Sequence, residues 1–330
     1  MKMSKRDSNF ELLRIIAMLF IVVFHISTHA QGRELPTHKY ICAITTGGVN
    51  LFILISGYFG IKLKWKSLLN IIGQLIFFYI VTLFLIYYFF DYNIGLTDIA
   101  RTFLPLSSSN WWFVRCYLML MLISPAINIV LEKSTNKQLL FLMCVVTYLS
   151  CISGFAFKNT VNHNGFNLFN FTFIYMLGGV IRKYDIPNRI KSTHLVAICV
   201  IATFFVFIYH CFNAKAVYNN PALIIQVVAL FCLIAKFHFK STIVNSLATY
   251  MFPVYLLQDS PFGFKIYKVL YQYGKEQHFR GSEYILTLLF YTIVLFTCAI
   301  LLEKARQWLM NKSIEHTANY LRKKLNLFGE

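Results

Sequence analysis

Acidic residues are scarce. The 330-residue chain holds 13 Asp and Glu against 31 Lys and Arg. Charged residues of all kinds make up only 13% of it, about half the share of a soluble domain. With 58% hydrophobic residues, 33 Phe, 20 Tyr and a mean hydropathy of +0.59, there is too little polar surface to cover a soluble fold. The composition therefore excludes an ordinary soluble globule and points to an integral membrane protein. The formal charge of +18 does not make the chain a nucleic-acid binder, because Lys and Arg sit in short clusters between apolar runs, as in loops that flank membrane spans. No C-x-x-C pair occurs among the eight Cys, all of which lie in or beside apolar runs, so they read as small polarizable core residues. No internal repeat and no low-complexity linker divides the sequence. The basic opening "MKMSKRDSNF" has the character of a signal peptide, but the apolar run behind it carries Arg14 and lacks a cleavage site, so it reads as an uncleaved first helix.

A spanning helix needs about 20 mostly apolar residues. Ten segments qualify as candidates: Phe10–Thr28, Ile41–Gly60, Leu68–Phe90, Trp112–Leu131, Leu139–Phe157, Leu168–Ile181, Leu195–Phe212, Ala222–Phe237, Ile243–Gln258 and Tyr284–Leu302. The sixth and ninth are the shortest. If the N-terminus is cytoplasmic, 20 Lys and Arg fall on the inner side, from Lys2, Lys5 and Arg6 through the clusters Lys62/Lys64/Lys66 and Arg182/Lys183/Arg189/Lys191 to the C-terminal tail. The outer loops then hold 9, and Arg14 and Arg115 lie inside spans. The expected fold is all-α: one polytopic membrane domain over residues 1–330, with about ten spans and both termini cytoplasmic. From Glu303 to Lys324 bases alternate with Trp308, Leu309, Ile314, Tyr320 and Leu321, so residues 303–330 are expected as a basic amphipathic helix on the inner leaflet.

The first span raises the chemical question. In "LLRIIAMLFIVVFH", Arg14 and His25 are eleven residues apart, three turns plus roughly 20°, so both project from one helix face about 16 Å apart along the axis. Glu11 and His29 extend that stripe. Arg14 can snorkel to the headgroups or pair with Glu11, and a membrane His can simply bond a neighbouring helix. Polar groups in a span are nevertheless expensive and mark cavities and pathways. A metal site at His25 and His29 is not expected, since no third ligand has matching spacing. Asn50 and Gly57 are seven residues apart and share a face, with Ser56 beside them. Either they serve a site, with Asn50 orienting His25 or meeting an oxyanion, or they are small-residue packing with one interhelical hydrogen bond. Trp111 and Trp112 read as an interfacial pair, and Arg115 lies deep enough to need a partner. The outer stretch Asp259–Glu283 interleaves Phe262, Phe264, Tyr267, Tyr271, Tyr273 and Phe279 with Lys265, Lys268, Lys275 and Arg280. It suits sugar stacking and a lipid pyrophosphate, or an interfacial aromatic belt.

"RDSNFELLRIIAMLFIVVFH" resembles the opening helix of the acyltransferase 3 family of membrane acyltransferases, with Arg14, ten residues, then His25. "GGVNLFILISGYF" (Gly47–Phe59) and "NWWFVRCYLMLMLISP" (Asn110–Pro125) are similar to two further family blocks. "LATYMFPVYLLQ" resembles a late helix that often ends in His, where this chain has Gln258. The resemblance covers the whole membrane region. It implies transfer of an acyl group, most often acetyl from cytosolic acetyl-CoA, to a sugar hydroxyl of a lipid-linked or exported envelope, capsular or exopolysaccharide glycan, in a bacterial inner membrane. It implies no permanently bound cofactor and no metal. The partners are acetyl-CoA, the glycan and membrane lipids, without nucleic acid. His25 is then the general base or transient acyl carrier and Arg14 the group that steers the CoA phosphates. Glu11, Asn50, Ser56, Trp112, Arg115 and Tyr117 are expected to bind substrate. With the chain ending at Glu330, all chemistry is expected in the membrane core. The rival readings are a glycan transporter, flippase or polymerase, and a non-catalytic scaffold. The longest outer loop is small for a polymerase, and two charged residues inside the spans are few for a flippase.

Overall fold

The computed structural model describes residues 7–31, 36–103, 111–158, 162, 164–213, 215–277 and 282–325. Lys2, Lys5, Arg6, Asn110, Phe279, Arg280 and Glu330, named above, lie outside the described residues. All regular elements among the described residues are helical: α1 Ser8–Ile26, α2 Pro36–Thr45, α3 Gly48–Phe59, α4 Trp65–Phe90, α5 Leu96–Phe103, α6 Trp112–Lys133, α7 Asn136–Thr147 and α8 Leu168–Lys183. They continue as α9 Ile186–Arg189, α10 Ser192–Phe212, α11 Pro221–Ala235, α12 Thr242–Ala248, α13 Met251–Gln258, α14 Pro261–Glu276 and α15 Ser282–Leu325. π-helical segments extend α1 over Ser27–Gln31 and α7 over Tyr148–Ala156.

Local sequence explains many of these starts. Thr135 and Gln138 form a reciprocal capping box at α7, while Asn220 and Ser260 cap α11 and α14 just ahead of a proline at the first helical position. Each cap satisfies backbone N–H groups that would otherwise lack partners.

Among the described residues, seven helices are long and apolar enough to cross a bilayer: Ser8–Ala30, Thr37–Phe59, Trp65–Phe90, Trp112–Lys133, Asn136–Ala156, Ser192–Phe212 and Ser282–Leu325. The other three expected spans come out short. Leu168–Lys183 has 16 residues and Pro221–Ala235 has 15. The segment 243–258 is divided between α12 and α13, with a turn at Thr249 and Tyr250.

Two compact units make up the chain. The first comprises residues 1–28, 32–61 and 116–249. Its centre is the pairing of α3 with α8, where the backbones approach through glycine. A Cβ on Gly57 would collide with the Tyr175 carbonyl oxygen, and one on Gly178 would collide with the Leu54 carbonyl oxygen. Asn50, two turns before Gly57, lies on the same side: Asn170 of α8 donates to its Oδ1 at 3.4 Å. Close backbone approach through small residues, pinned by an amide pair, is how helices associate where lipid removes the hydrophobic drive. Gly57→Ala is expected to lower stability by about 1–3 kcal/mol through overpacking, read as earlier thermal unfolding in detergent. An unchanged melting curve would mean that α8 yields without cost.

The second unit comprises residues 29–31, 62–115 and 250–330, built on α4, α13, α14 and α15. The region from Glu303 was expected as a separate amphipathic helix. Instead it continues the last span without a break as a 44-residue helix, since no Gly or Pro interrupts Ser282–Leu325. Its buried stripe of Glu303, Arg306, Ile314 and Ala318 lies along α4, where Arg306 bonds Asn70 and Ile314 reaches Gly73. Trp308 is left 83% exposed on the opposite side.

Candidate active site

The geometry begins with α1, which three contacts fix in the first unit. At its start, Asn9 donates to the carbonyls of Ile234 and Ala235 at 3.3 Å, and the Ser8 N–H bonds Phe239. At mid-length, Gly48 of α3 sits so close that a Cβ there would stand 2.7 Å from the Ala17 carbonyl oxygen. At its end, Ser27 Oγ is 2.9 Å from His38 Nδ1 of α2. These contacts settle which way the Arg14–His25 face points. Met18 and Ile21 lie between the two on the same stripe, at i+4 and i+7 from Arg14, and both are buried, as is Glu11. The middle of the stripe faces protein, Arg14 and His25 are half-buried, and His29 at the far end is exposed.

Arg14 Nη1 donates to both carboxylate oxygens of Glu11 at 2.7 Å. The arginine side chain is about a third exposed and the glutamate nearly closed off. The pairing uses Nη1 alone, which leaves the Nη2 and Nε side of the fork for an anion. His25 is half-buried near the end of α1, its ring 5.9 Å from that of Phe24.

Asn50 makes interhelical contacts at both ends of its amide: Nδ2 donates to the Tyr218 carbonyl at 2.7 Å and Oδ1 accepts from Asn170. Ser56 Oγ donates to the Phe52 carbonyl and lies 3.4 Å from the Tyr117 hydroxyl, so the structure brings these two expected site residues together. In the second unit, Trp111 is not the interfacial anchor expected from its position. It is 1% exposed, edge-on to Tyr79 at 5.7 Å. Trp112 is half-buried and edge-on to Phe113 at 6.3 Å. Arg115, half-buried, has an Nε with no hydrogen-bond partner among the described residues, a donor in want of an acceptor. Gln258 is fully buried and accepts from the Tyr267 hydroxyl at 3.0 Å. Next to it, Tyr255 donates to Asp259, and the ring of His29 stacks on Tyr267 at 5.9 Å.

Sequence reasoning passed over two buried histidines of the first unit. His38 bonds Ser27, two residues past His25. His210 Nε2 is 3.1 Å from Thr46 Oγ1. The available signal was Pro36, a helix-starting proline that turns the expected outer loop at His38 into the first turn of α2. No group of three or more His, Cys, Asp or Glu that could hold a metal occurs among the described residues.

Seven apolar helices of spanning length, with an Arg–Glu pair and a His on one inward stripe of the first, define an integral membrane protein with polar groups held inside its fold. The family model for the acyltransferase 3 family, described as an acyltransferase domain, matches residues 7–304. The chain belongs to that family and is a membrane acyltransferase. No curated protein and no solved structure matches it.

Proposed function

We propose that the protein is an O-acetyltransferase of a bacterial inner membrane, moving acetyl from cytosolic acetyl-CoA to a sugar hydroxyl of a lipid-linked or exported envelope glycan. The observation that carries the reading is the inward stripe Glu11–Arg14–His25 on α1. In this reading both termini are cytoplasmic and the three short apolar segments complete ten crossings, in keeping with the excess of Lys and Arg on the inner side.

Arg14 takes a CoA phosphate through Nη2 and Nε, with Glu11 fixing the guanidinium plane. The thioester arm runs along the stripe toward His25. The imidazole accepts the proton of the sugar hydroxyl as its oxygen attacks the thioester carbonyl. The tetrahedral adduct collapses, the C–S bond breaks, and the imidazolium returns its proton to the CoA thiolate. The products are an O-acetyl ester and free CoA. Ser56, Tyr117, Trp112 and Arg115 are assigned to substrate binding, and Asn50, held by α8 and the Tyr218 carbonyl, to the frame behind the site.

Radiolabelled acetyl-CoA supplied to membranes containing the protein is expected to label extractable glycan. Glycan that crosses the membrane unlabelled would instead identify a transporter or flippase.

A further inference from the structure

The second unit contains a cavity of about 260 Å³, near the size of the smaller ligand pockets, that the acyl-transfer reading does not use. It lies among the end of α4, α5 and α14. Leu83, Ile86 and Phe264 supply its apolar lining, and Arg101, Lys265 and Lys268 bring three cations to it. On α14, Lys265 and Lys268 share a face with Pro261 and Phe264.

The single carboxylate in the lining is already engaged. Asp98 accepts from the Gly95 N–H at 3.1 Å and the Tyr92 hydroxyl at 3.3 Å, and pairs with Arg101 at 3.7 Å. It shapes the turn into α5 and aims Arg101. Lys265 stands 5.9 Å above the Phe90 ring. Lys268 makes no hydrogen bond or ion pair among the described residues. The cavity therefore carries a net positive charge with no internal counter-ion for its lysines, next to an apolar wall. That combination attracts an anion attached to a hydrocarbon.

Its depth points the same way. The spanning helix α4 ends at Phe90, and its last turn exposes Tyr87, Tyr88 and Phe89, an aromatic girdle of the kind found at headgroup level. Beside it α5 exposes Leu96 and Ile99. Lipid phosphates lie at this level, whichever leaflet it is.

We propose that this cavity binds the phosphate group of an anionic lipid, with the phosphate among Arg101, Lys265 and Lys268 and the first chain carbons along Leu83, Ile86 and Phe264. The source is either a bilayer phospholipid or the diphosphate of a polyprenyl carrier. As a site for a bilayer phospholipid the cavity is independent of the acyl-transfer reading, and as a site for the carrier it rests on the lipid-linked acceptor of that reading.

The test is native mass spectrometry of the full chain released from a neutral detergent. It is titrated separately with phosphatidylglycerol, farnesyl diphosphate and phosphatidylcholine. Wild type is expected to retain an anionic ligand and to lose it as salt is raised, and Lys265→Glu/Lys268→Glu to bind it at least tenfold more weakly. Preference for phosphatidylglycerol assigns the site to a bilayer lipid, and preference for farnesyl diphosphate to a carrier lipid. If the double variant does not fold, as judged by size exclusion and thermal unfolding, Lys268→Gln decides, with an expected several-fold loss. Phosphatidylcholine binding as tightly as both anionic probes, or a folded lysine variant with wild-type affinity, overturns the proposal.

Discussion

Replacing His25 by alanine is expected to lower acyl transfer by about 10²- to 10⁴-fold, the usual contribution of a positioned general base, while leaving CoA binding and the melting temperature close to wild type. The packing of α1 supports the second half of that expectation. The helix is held by Asn9, Gly48 and Ser27, and His25 itself is only half-buried, so trimming it removes little core. Arg14→Ala is expected to give the opposite pattern: weaker CoA binding and a higher KM, with kcat less affected, because it removes phosphate contacts rather than proton transfer. Loss of Arg14 also removes its ion pair with the buried Glu11, so Arg14→Lys is the informative companion. Lysine keeps the charge but not the fork, and an intermediate KM would point to phosphate geometry over charge alone. A His25→Ala enzyme that turns over at the wild-type rate would remove the imidazole from the mechanism.

What was legible in the sequence was whatever repeats locally. The run Leu68–Phe90 agrees with α4 to within one turn, and Trp112–Leu131 with α6, because an uninterrupted apolar stretch has one way to satisfy its backbone in lipid. The shared face of Asn50 and Gly57 was also readable, since i and i+7 coincide on any helix, and both residues do meet α8. What was not legible needed a distant partner. Trp111 looks like its neighbour Trp112 in sequence, yet Trp111 is closed off against Tyr79 while Trp112 stays half-buried. Gln258 stands where the family pattern often has His, and only the fold reveals that Tyr267 holds its carbonyl oxygen. Glu303 and Arg306 look like the start of a solvated, basic tail. Their burial depends on Gln74, 229 residues away in sequence, and no window of hydropathy contains that.

That pair yields the largest expected stability effect. Glu303 and Arg306 have side chains 2% and 1% exposed. Arg306 Nε donates to Glu303 Oε2 at 2.9 Å and Nη2 to Oε1 at 2.7 Å, while Nη2 also reaches Asn70. Gln74 and Gln307 complete the shell around Oε1. Arg306→Leu leaves a buried carboxylate with amide neighbours alone and is expected to cost about 3–5 kcal/mol. The effect is read as a lower unfolding midpoint in detergent and loss of α15 from a protease-resistant core. Glu303→Leu strands the guanidinium, whose Nη1 already lacks a hydrogen-bond partner among the described residues, with a loss of similar size. The double variant Glu303→Leu/Arg306→Leu is expected to recover most of that loss. Leucines suit the apolar ground around Ile314, and a buried pair roughly balances its own desolvation. The coupling between the two sites in this cycle is the deciding quantity. Two single variants whose losses simply add in the double would mean that each side chain acts through its own packing, and that the charge pair does not hold α15 to α4.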